Sequence, residues 1–530
     1  MEPSQQAPTV LNIDSATRIG RSYSVALTGI KGQIVSVEAD IGNALPGFTL
    51  LGLPDQSLQE AKDRIRAAAR NSGLNLTRRH LTVNLTPASI HKRGSLFDLA
   101  IVMAAWGADY AVQQETGPVF LAALGLDGSL QSAPGILPAV IAAVEAGFTD
   151  IVVAKASESQ AQLVPGATVH AYQHVTQVAH AFGAPVEPAR HTAPTAAPVV
   201  SQDPPDHVVD FAEIHGQHEA RWALEIAAAG GHNLLLHGPP GAGKTMLAQR
   251  LPTIMPAMDT SIALQQAAIR SLSQGYDTVT ALPTSPPFEA PHHATTVSAL
   301  IGGGSGFVRP GAVSKAHGGV LFLDEAAEFK RPVLDTLRQP LETGTVTLHR
   351  AKHTVEFPAS FQLVLATNPC PCGYGYGTGK ACRCTSLQRR RYAAKLSGPL
   401  LDRVDLQVTV QPVTSQHLRA TNTAESSATV AARVAQAVSR AQHRLSPHGL
   451  SRNCQVPLKL LNQPELQVAD TGQRNLEHAL DTQHITARGY GRILRVAWTI
   501  ADLLGAERPT AEHVDMALYL KLNTGGGSHE

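Results

Sequence analysis

The 530-residue chain is poor in cysteine, in aromatic residues and in surplus charge of either sign. It holds five cysteines, and four of them fall within the fifteen positions 370–384. A secreted disulfide framework spreads its cysteines along the chain. Clustering points instead to a metal site in a reducing compartment, so the chain reads as cytoplasmic. Lys and Arg total 43 against 42 Asp and Glu, a net charge of +1. That balance excludes a globally basic nucleic-acid coat and an acidic tail protein, and a DNA partner has to be held by local basic features. The longest apolar-leaning stretches, Leu96–Ala105 and Gly135–Ala146, fall short of the roughly 18–20 residues of a spanning helix. The opening MEPSQQAPTV lacks the basic-then-apolar pattern of a secretory signal. No membrane partner is expected.

What is present is enough apolar residue, 43 %, to bury sizeable cores. The length suits about three domains. Residues 1–19 are polar and aperiodic and read as a mobile tail. An α/β domain is expected over 20–183. SYSVALTG and QIVSVEADI alternate as a hairpin across Ser22–Ile41. Pro54–Ser72 has helical spacing (Leu58, Ala61, Ile65, Ala68) and stops at Gly73. Strands are expected at His80–Leu85, Val119–Leu124 and Asp150–Ala154, and helices at Leu96–Trp106 and Pro138–Ala146. Six prolines within 184–206 make that segment a semi-rigid linker. A second α/β module is expected over 207–413, a loop over 414–425, a helical domain over 426–522 and a disordered tail over 523–530.

Gly238-Pro239-Pro240-Gly241-Ala242-Gly243-Lys244-Thr245 fits the pattern GxxxxGK[ST] at every fixed position. The strand-like NLLLH precedes it and a helix start follows, which is the context the motif needs. Its N–H groups can converge on phosphate oxygens, with the helix N-terminus adding a favourable dipole. Lys244 would reach the β- and γ-phosphates of ATP, and Thr245 would ligate Mg²⁺. Val320-Leu-Phe-Leu is a buried-type strand that delivers Asp324 to Mg²⁺ and Glu325 to the attacking water. Phe361–Thr367 is another such strand and ends on Asn368, placed to orient that water. Arg403 and Arg488 are candidate transition-state cations; surface ion pairing is the plainer alternative for each.

Cys370-x-Cys372 and Cys382-x-Cys384 offer four thiolates in two close pairs, suited to a structural, tetrahedral Zn²⁺. Cys454 stands alone. Thr345–Phe357 alternates on both sides of a basic tip: His349, Arg350, Lys352 and His353. That reads as a hairpin whose charges can track DNA phosphates without reading bases. Arg389-Arg390-Arg391 is a second such candidate, equally suited to a subunit interface. His292 and His293 are adjacent, so strand geometry would point them apart and leave them as loop-positioning residues.

APHHATTVSALIGGG, GAVSKAHGGVLFLDEAAEF, LRQPLETGTVTLHRA, ATNPCPCGY and LSGPLLDRVDL, with NALPGFTLLGLPDQSLQEAKDRIRAAARNSG near the N-terminus, resemble the magnesium-chelatase-like AAA+ ATPases. Within them the chain looks most like the bacterial ComM/YifB family, over about residues 20–522. The resemblance implies an N-terminal Lon-protease-like (ribosomal S5 domain 2-like) α/β domain, a P-loop AAA+ α/β module and a C-terminal helical lid. It implies a homohexameric ring and ATP-driven work on single-stranded or branched DNA, as in helicases promoting branch migration of transforming DNA. It places Arg403 at the family's arginine-finger position and Arg488 at its sensor-2 position. In the Lon-like part, Leu96 stands where Lon has its Ser nucleophile and Leu137 where it has its Lys, so no peptidase activity is expected. A chelatase motor inserting metal into a porphyrin, or a regulatory non-motor ATPase, are the alternative functions.

Overall fold

The computed structural model describes residues 19–42, 45, 47–52, 55–73, 80–90, 92, 94–109, 117–189, 209–273, 281–304, 308–349, 354–376, 380–412 and 425–522. Residues 1–18, 190–208, 413–424 and 523–530 lie outside them, so the tails expected over 1–19 and 523–530, the linker expected over 184–206 and the loop expected over 414–425 fall wholly or mostly outside the described residues. The described residues divide into two compact units. One takes in the chain up to Gln202 with two later segments, Ala263–Leu282 and Thr347–Phe357; the other takes in the rest.

The first unit is built on a seven-stranded mixed sheet. Its strands are β1 (Ile19–Thr28), β2 (Lys31–Gly42), β3 (Gly47–Leu51), β4 (His80–Thr86), β5 (Val119–Leu121), β6 (Asp150–Ala154) and β7 (Thr168–Tyr172), in spatial order β3-β4-β2-β1-β5-β6-β7. β1 and β2 pair antiparallel from Ile19↔Asp40 to Thr28↔Lys31, and Gly29 at φ +67° makes the tight turn between them. Helices α1 (Asp55–Asn71), α2 (Asp98–Asp109) and α4 (Val175–Ala181) carry one core, and α3 (Ile136–Glu145) carries another. α2 is apolar all round and buried all round, as a central helix must be. It packs so closely on β1 that a Cβ at Gly20 would lie 2.0 Å from the Ala104 carbonyl oxygen. Asp98 opens α2 and is buried, so its charge needs a partner. Arg64 supplies one with a two-pronged contact at 2.5 and 3.0 Å. Leu96 and Leu137, the positions that the resemblance aligns with a Lon-type dyad, lie in one apolar core.

The second unit holds a five-stranded, wholly parallel sheet: β8 (Leu234–His237), β9 (Phe288–Glu289), β10 (Val320–Leu323), β11 (Gln362–Thr367) and β12 (Leu406–Thr409), in spatial order β9-β10-β11-β8-β12. Its central strands are unbroken apolar runs because helices cover both faces. α5 (His218–Gly230) and α6 (Lys244–Ile254) flank it. α7 (Ser386–Ala393) precedes β12, and α8 (Ser427–Leu445), α9 (Asp470–Asp481), α10 (Ala487–Leu504) and α11 (Ala511–Leu522) form the helical lid. One core runs from the sheet through α5 and α6 into the lid, with Trp498 of α10 nearly fully buried. The Trp498 indole donates to the Leu466 carbonyl at 2.9 Å, and the Arg444 guanidinium lies over its ring at 4.0 Å.

Candidate nucleotide site and cysteine knuckle

In open parallel sheets, ligands bind beyond the carboxyl ends of the strands. At that edge β8 ends on His237, β10 runs into Asp324 and β11 ends on Thr367 and runs into Asn368. β8 runs into the glycine loop, whose Gly241 and Gly243 sit at φ +76° and +90°, a backbone that only glycine adopts without strain. Gly238 has no room for a side chain: a Cβ there would lie 2.4 Å from the Val410 carbonyl oxygen. Its N–H donates to the Thr367 carbonyl at 3.2 Å, tying the loop to β11.

Lys244 opens α6 and is only 8 % exposed. Its ammonium donates to the carbonyls of Gly238 at 2.7 Å and Pro239 at 2.9 Å, and to Asn368 Oδ1 at 3.0 Å. Burial pushes its pKa down, while the charges of Asp324 and Glu325 pull it back up. Thr245 Oγ1 donates to Asp324 Oδ2 at 2.7 Å. The structure thus brings together Lys244, Asn368, Thr245 and Asp324, all four expected from the sequence at this site. A hydroxyl and a carboxylate side by side suit Mg²⁺, a hard cation that takes oxygen ligands. An ammonium held by carbonyls of its own loop suits phosphate. The residues therefore fit both ATP and Mg²⁺.

Glu325 follows in a left-handed backbone, φ +50° and ψ +44°, which costs about 1–3 kcal/mol for a non-glycine residue. Its N–H donates to Asp324 Oδ1 at 2.9 Å, and its Oε2 lies 3.4 Å from His293 Nδ1. His293 sits in a turn after β9, not in a strand, and its ring lies 4.0 Å from that of His292. The pair does not point apart as strand geometry implied. His293 is the neighbour of Glu325 that sequence reasoning missed, and its place beyond the end of a short strand was the available signal.

The two arginines stand apart from this cluster. Arg403 is buried: one terminal nitrogen bonds Glu342 and the other donates to the Pro399 carbonyl at 2.5 Å. Arg488 is exposed in the first turn of α10, with no hydrogen bond or ion pair among the described residues. A buried polar network joins the Arg403 segment to the lid. Arg492 of α10 bonds Asp405 and donates to the Arg403 carbonyl at 3.1 Å, and His232 Nε2 lies 2.8 Å from Thr499 Oγ1. Burial alone would raise the Asp405 carboxyl, but Arg492 and then His232 hold it well below the usual carboxylate range.

β11 leads directly into the cysteines. The Sγ atoms of Cys370, Cys372, Cys382 and Cys384 lie within 4.8 Å of one another, close enough for one ion. The Gly375 N–H donates to Cys370 Sγ at 3.2 Å. Burial raises the Cys370 thiol to about 12, whereas backbone N–H groups of Tyr374 and Arg383 draw Cys372 down to about 6. Cys454 is half-buried elsewhere, and desolvation raises its thiol to about 11. Arg389, Arg390 and Arg391 are exposed on α7. The hairpin pairs Thr345–His349 with Thr354–Pro358, and His349 ends its first strand, exposed. Arg350, Lys352 and His353 lie outside the described residues.

A phosphate loop, a carboxylate pair and a polar strand end on one parallel sheet, capped by a helical lid, define an AAA+ ATPase fold. Family models described as "Magnesium chelatase, subunit ChlI", "Subunit ChlI of Mg-chelatase" and "Magnesium chelatase, subunit ChlI C-terminal" match residues 210–418, 37–157 and 424–521. Competence protein ComM of Haemophilus influenzae is 37 % identical over 506 residues, covering 94 % of this chain and 96 % of its own. An uncharacterized protein of Mycobacterium tuberculosis is 43 % identical over 506 residues, covering 95 % of this chain and 98 % of its own. Lon protease 2 of Bacillus subtilis is 30 % identical over 181 residues, covering 30 % of this chain and 32 % of its own. The chain belongs to the magnesium-chelatase-like ComM/YifB family of AAA+ ATPases. Among the described residues no helix is long and apolar enough to cross a membrane.

Proposed function

We propose that the chain is an ATP-hydrolysing, ring-forming motor that remodels DNA, of the helicase and branch-migration type, working in the cytoplasm. The observation that carries this reading is the convergence of Lys244, Asn368, Thr245 and Asp324 at one sheet edge. It occurs in a chain similar to competence protein ComM over nearly its whole length. Mg²⁺, when bound, neutralises charge on the phosphate oxygens. Thr245 and Asp324 would hold it, and Lys244 would grip the phosphates. Glu325 takes the proton from the attacking water, and Asn368 orients that water. Arg403 serves the next subunit of a homohexamer as an arginine finger, exchanging Glu342 for phosphate, and Arg488 serves as sensor 2 from the lid. His349, Arg350, Lys352 and His353 contact DNA phosphates. The four clustered cysteines hold a structural Zn²⁺.

The match to chelatase family models favours a second reading, a motor subunit for metal insertion into a porphyrin. ATPase and branch-migration assays over a panel of single-stranded, duplex and branched DNA separate the two. The DNA motor is stimulated by DNA and moves a junction. Turnover indifferent to every DNA form overturns it.

A further inference from the structure

The cysteine cluster lies beside the nucleotide site, and two direct contacts and one relay through Gln411 and Gln217 join it to the phosphate loop. Asn368, two residues before Cys370, accepts from Lys244 at 3.0 Å. Gly373, one residue after Cys372, lies against Pro240 with φ +79°; a Cβ there would come within 2.5 and 2.6 Å of the proline ring carbons. The Tyr376 hydroxyl bonds the Gln411 side chain. The Gln411 carbonyl in turn accepts from Gln217, whose amide also reaches the Ala242 carbonyl at 3.4 Å. Loop residues Pro240, Ala242 and Lys244 are thus each braced from the span 368–376.

The sulfurs fix that span in place. The Gly373 N–H donates to the Cys370 carbonyl at 2.9 Å and the Gly375 N–H to Cys370 Sγ at 3.2 Å. Gly375 packs so tightly that a Cβ would lie 3.0 Å from Cys370 Sγ and 3.6 Å from Cys382 Sγ. Four thiolates at this spacing repel one another unless a cation sits between them. Where a metal holds them, its binding free energy becomes ordering energy for the surrounding loop.

We propose that metal bound by Cys370, Cys372, Cys382 and Cys384 braces the phosphate-binding loop, so that metal occupancy sets nucleotide affinity. This rests on the metal reading given above. A pre-ordered loop spends less of its contact energy on ordering itself, so affinity falls when the brace is removed.

The test uses the full-length chain. Zinc per chain is measured by elemental analysis. The dissociation constant for fluorescent ADP, with Mg²⁺ present, is measured as purified, after chelation and after zinc is restored. The expected result is one zinc per chain, affinity about tenfold weaker without it, and recovery on reloading. Gly373→Ala should keep its zinc and still bind about tenfold more weakly, because the added Cβ displaces Pro240. If that variant fails to melt cooperatively, Tyr376→Phe carries the same test, with a loss of about threefold. Cys454→Ala is the control and should change neither quantity. Zinc present but affinity indifferent to its removal overturns the brace and leaves the metal site standing. No zinc as purified without chelator, and none taken up when added, overturns both.

Discussion

Each unit of the molecule buries a lysine, and the two could hardly be used more differently. Lys244 and Lys92 both have pKa values lowered by burial. Lys92 is fully buried, with its ammonium held by the carbonyls of Pro87 and, at 3.3 Å, Ile90. Lys244 is held by carbonyls too, but also by Asn368, and the charges of Asp324 and Glu325 oppose its shift. Burial is thus common to both. The difference is convergence: around Lys244, residues from three strand ends and a glycine loop meet in one place. In the other unit, the positions where a peptidase dyad is expected by resemblance are Leu96 and Leu137, both packed in the core. A perturbed lysine marks a site when other chemistry is aimed at the same point.

The comparison breaks most sharply at Lys244 itself. Lys244→Ala removes the cation facing the phosphates, and nucleotide affinity should fall by at least about a hundredfold. Titration with fluorescent ADP reads this directly, and an affinity within threefold of wild type would overturn the assignment. Glu325→Gln comes next. It should bind nucleotide as wild type does while turnover drops by about 10²–10⁴-fold, the range for a lost general base. Steady-state ATPase at the wild-type rate would remove Glu325 from that role.

His293 sharpens the comparison at smaller amplitude. Its ring nitrogen lies 3.4 Å from the Glu325 carboxylate and restrains it. His293→Ala should free the carboxylate and raise basal turnover about two- to fivefold, with nucleotide affinity unchanged. A fall to the level of Glu325→Gln would mean that the imidazole takes part in the chemistry.

The nucleotide site was legible because its parts are contiguous in sequence: a glycine loop, then two apolar runs that each end on polar residues. β10 falls on Val320–Leu323 and β11 on Gln362–Thr367, as the apolar runs implied. Where tertiary contacts decide, the sequence misleads by a few residues. Val119–Leu124 reads as one strand but divides at Ala122, whose carbonyl accepts from the Leu99 N–H at 3.3 Å. The helix expected from Leu96 begins at Asp98, where the buried Arg64 partner fixes the first turn. The helix expected from Pro138 begins at Ile136, because proline lacks the N–H that a first turn leaves unbonded. The Asp405–Arg492 pair was out of reach: 87 positions separate the two, and no periodicity links them. The contact of Gly373 with Pro240 was hidden for the same reason.

The smallest expected effect is at Lys92, and it tests the comparison from the other side. Lys92→Met keeps the length of the side chain and removes a buried charge at the cost of two carbonyl partners. Trading a buried ion for an apolar side chain of similar volume is often near neutral, so stability at pH 7 should move by no more than about 1 kcal/mol. ATPase and nucleotide affinity should not change. The pH dependence carries the sharper signature. Burial holds the folded-state pKa of Lys92 below the ordinary lysine value of about 10.4. Between those two values the unfolded chain binds more protons than the folded one, so wild-type stability rises with pH through that window. Methionine has no proton to lose and lacks that rise. Denaturant melts at pH 7 and pH 10 should therefore show wild type gaining on Lys92→Met as pH increases. A constant gap would mean that Lys92 keeps its ordinary pKa. A drop in ATPase would mean that this lysine, too, belongs to a working site.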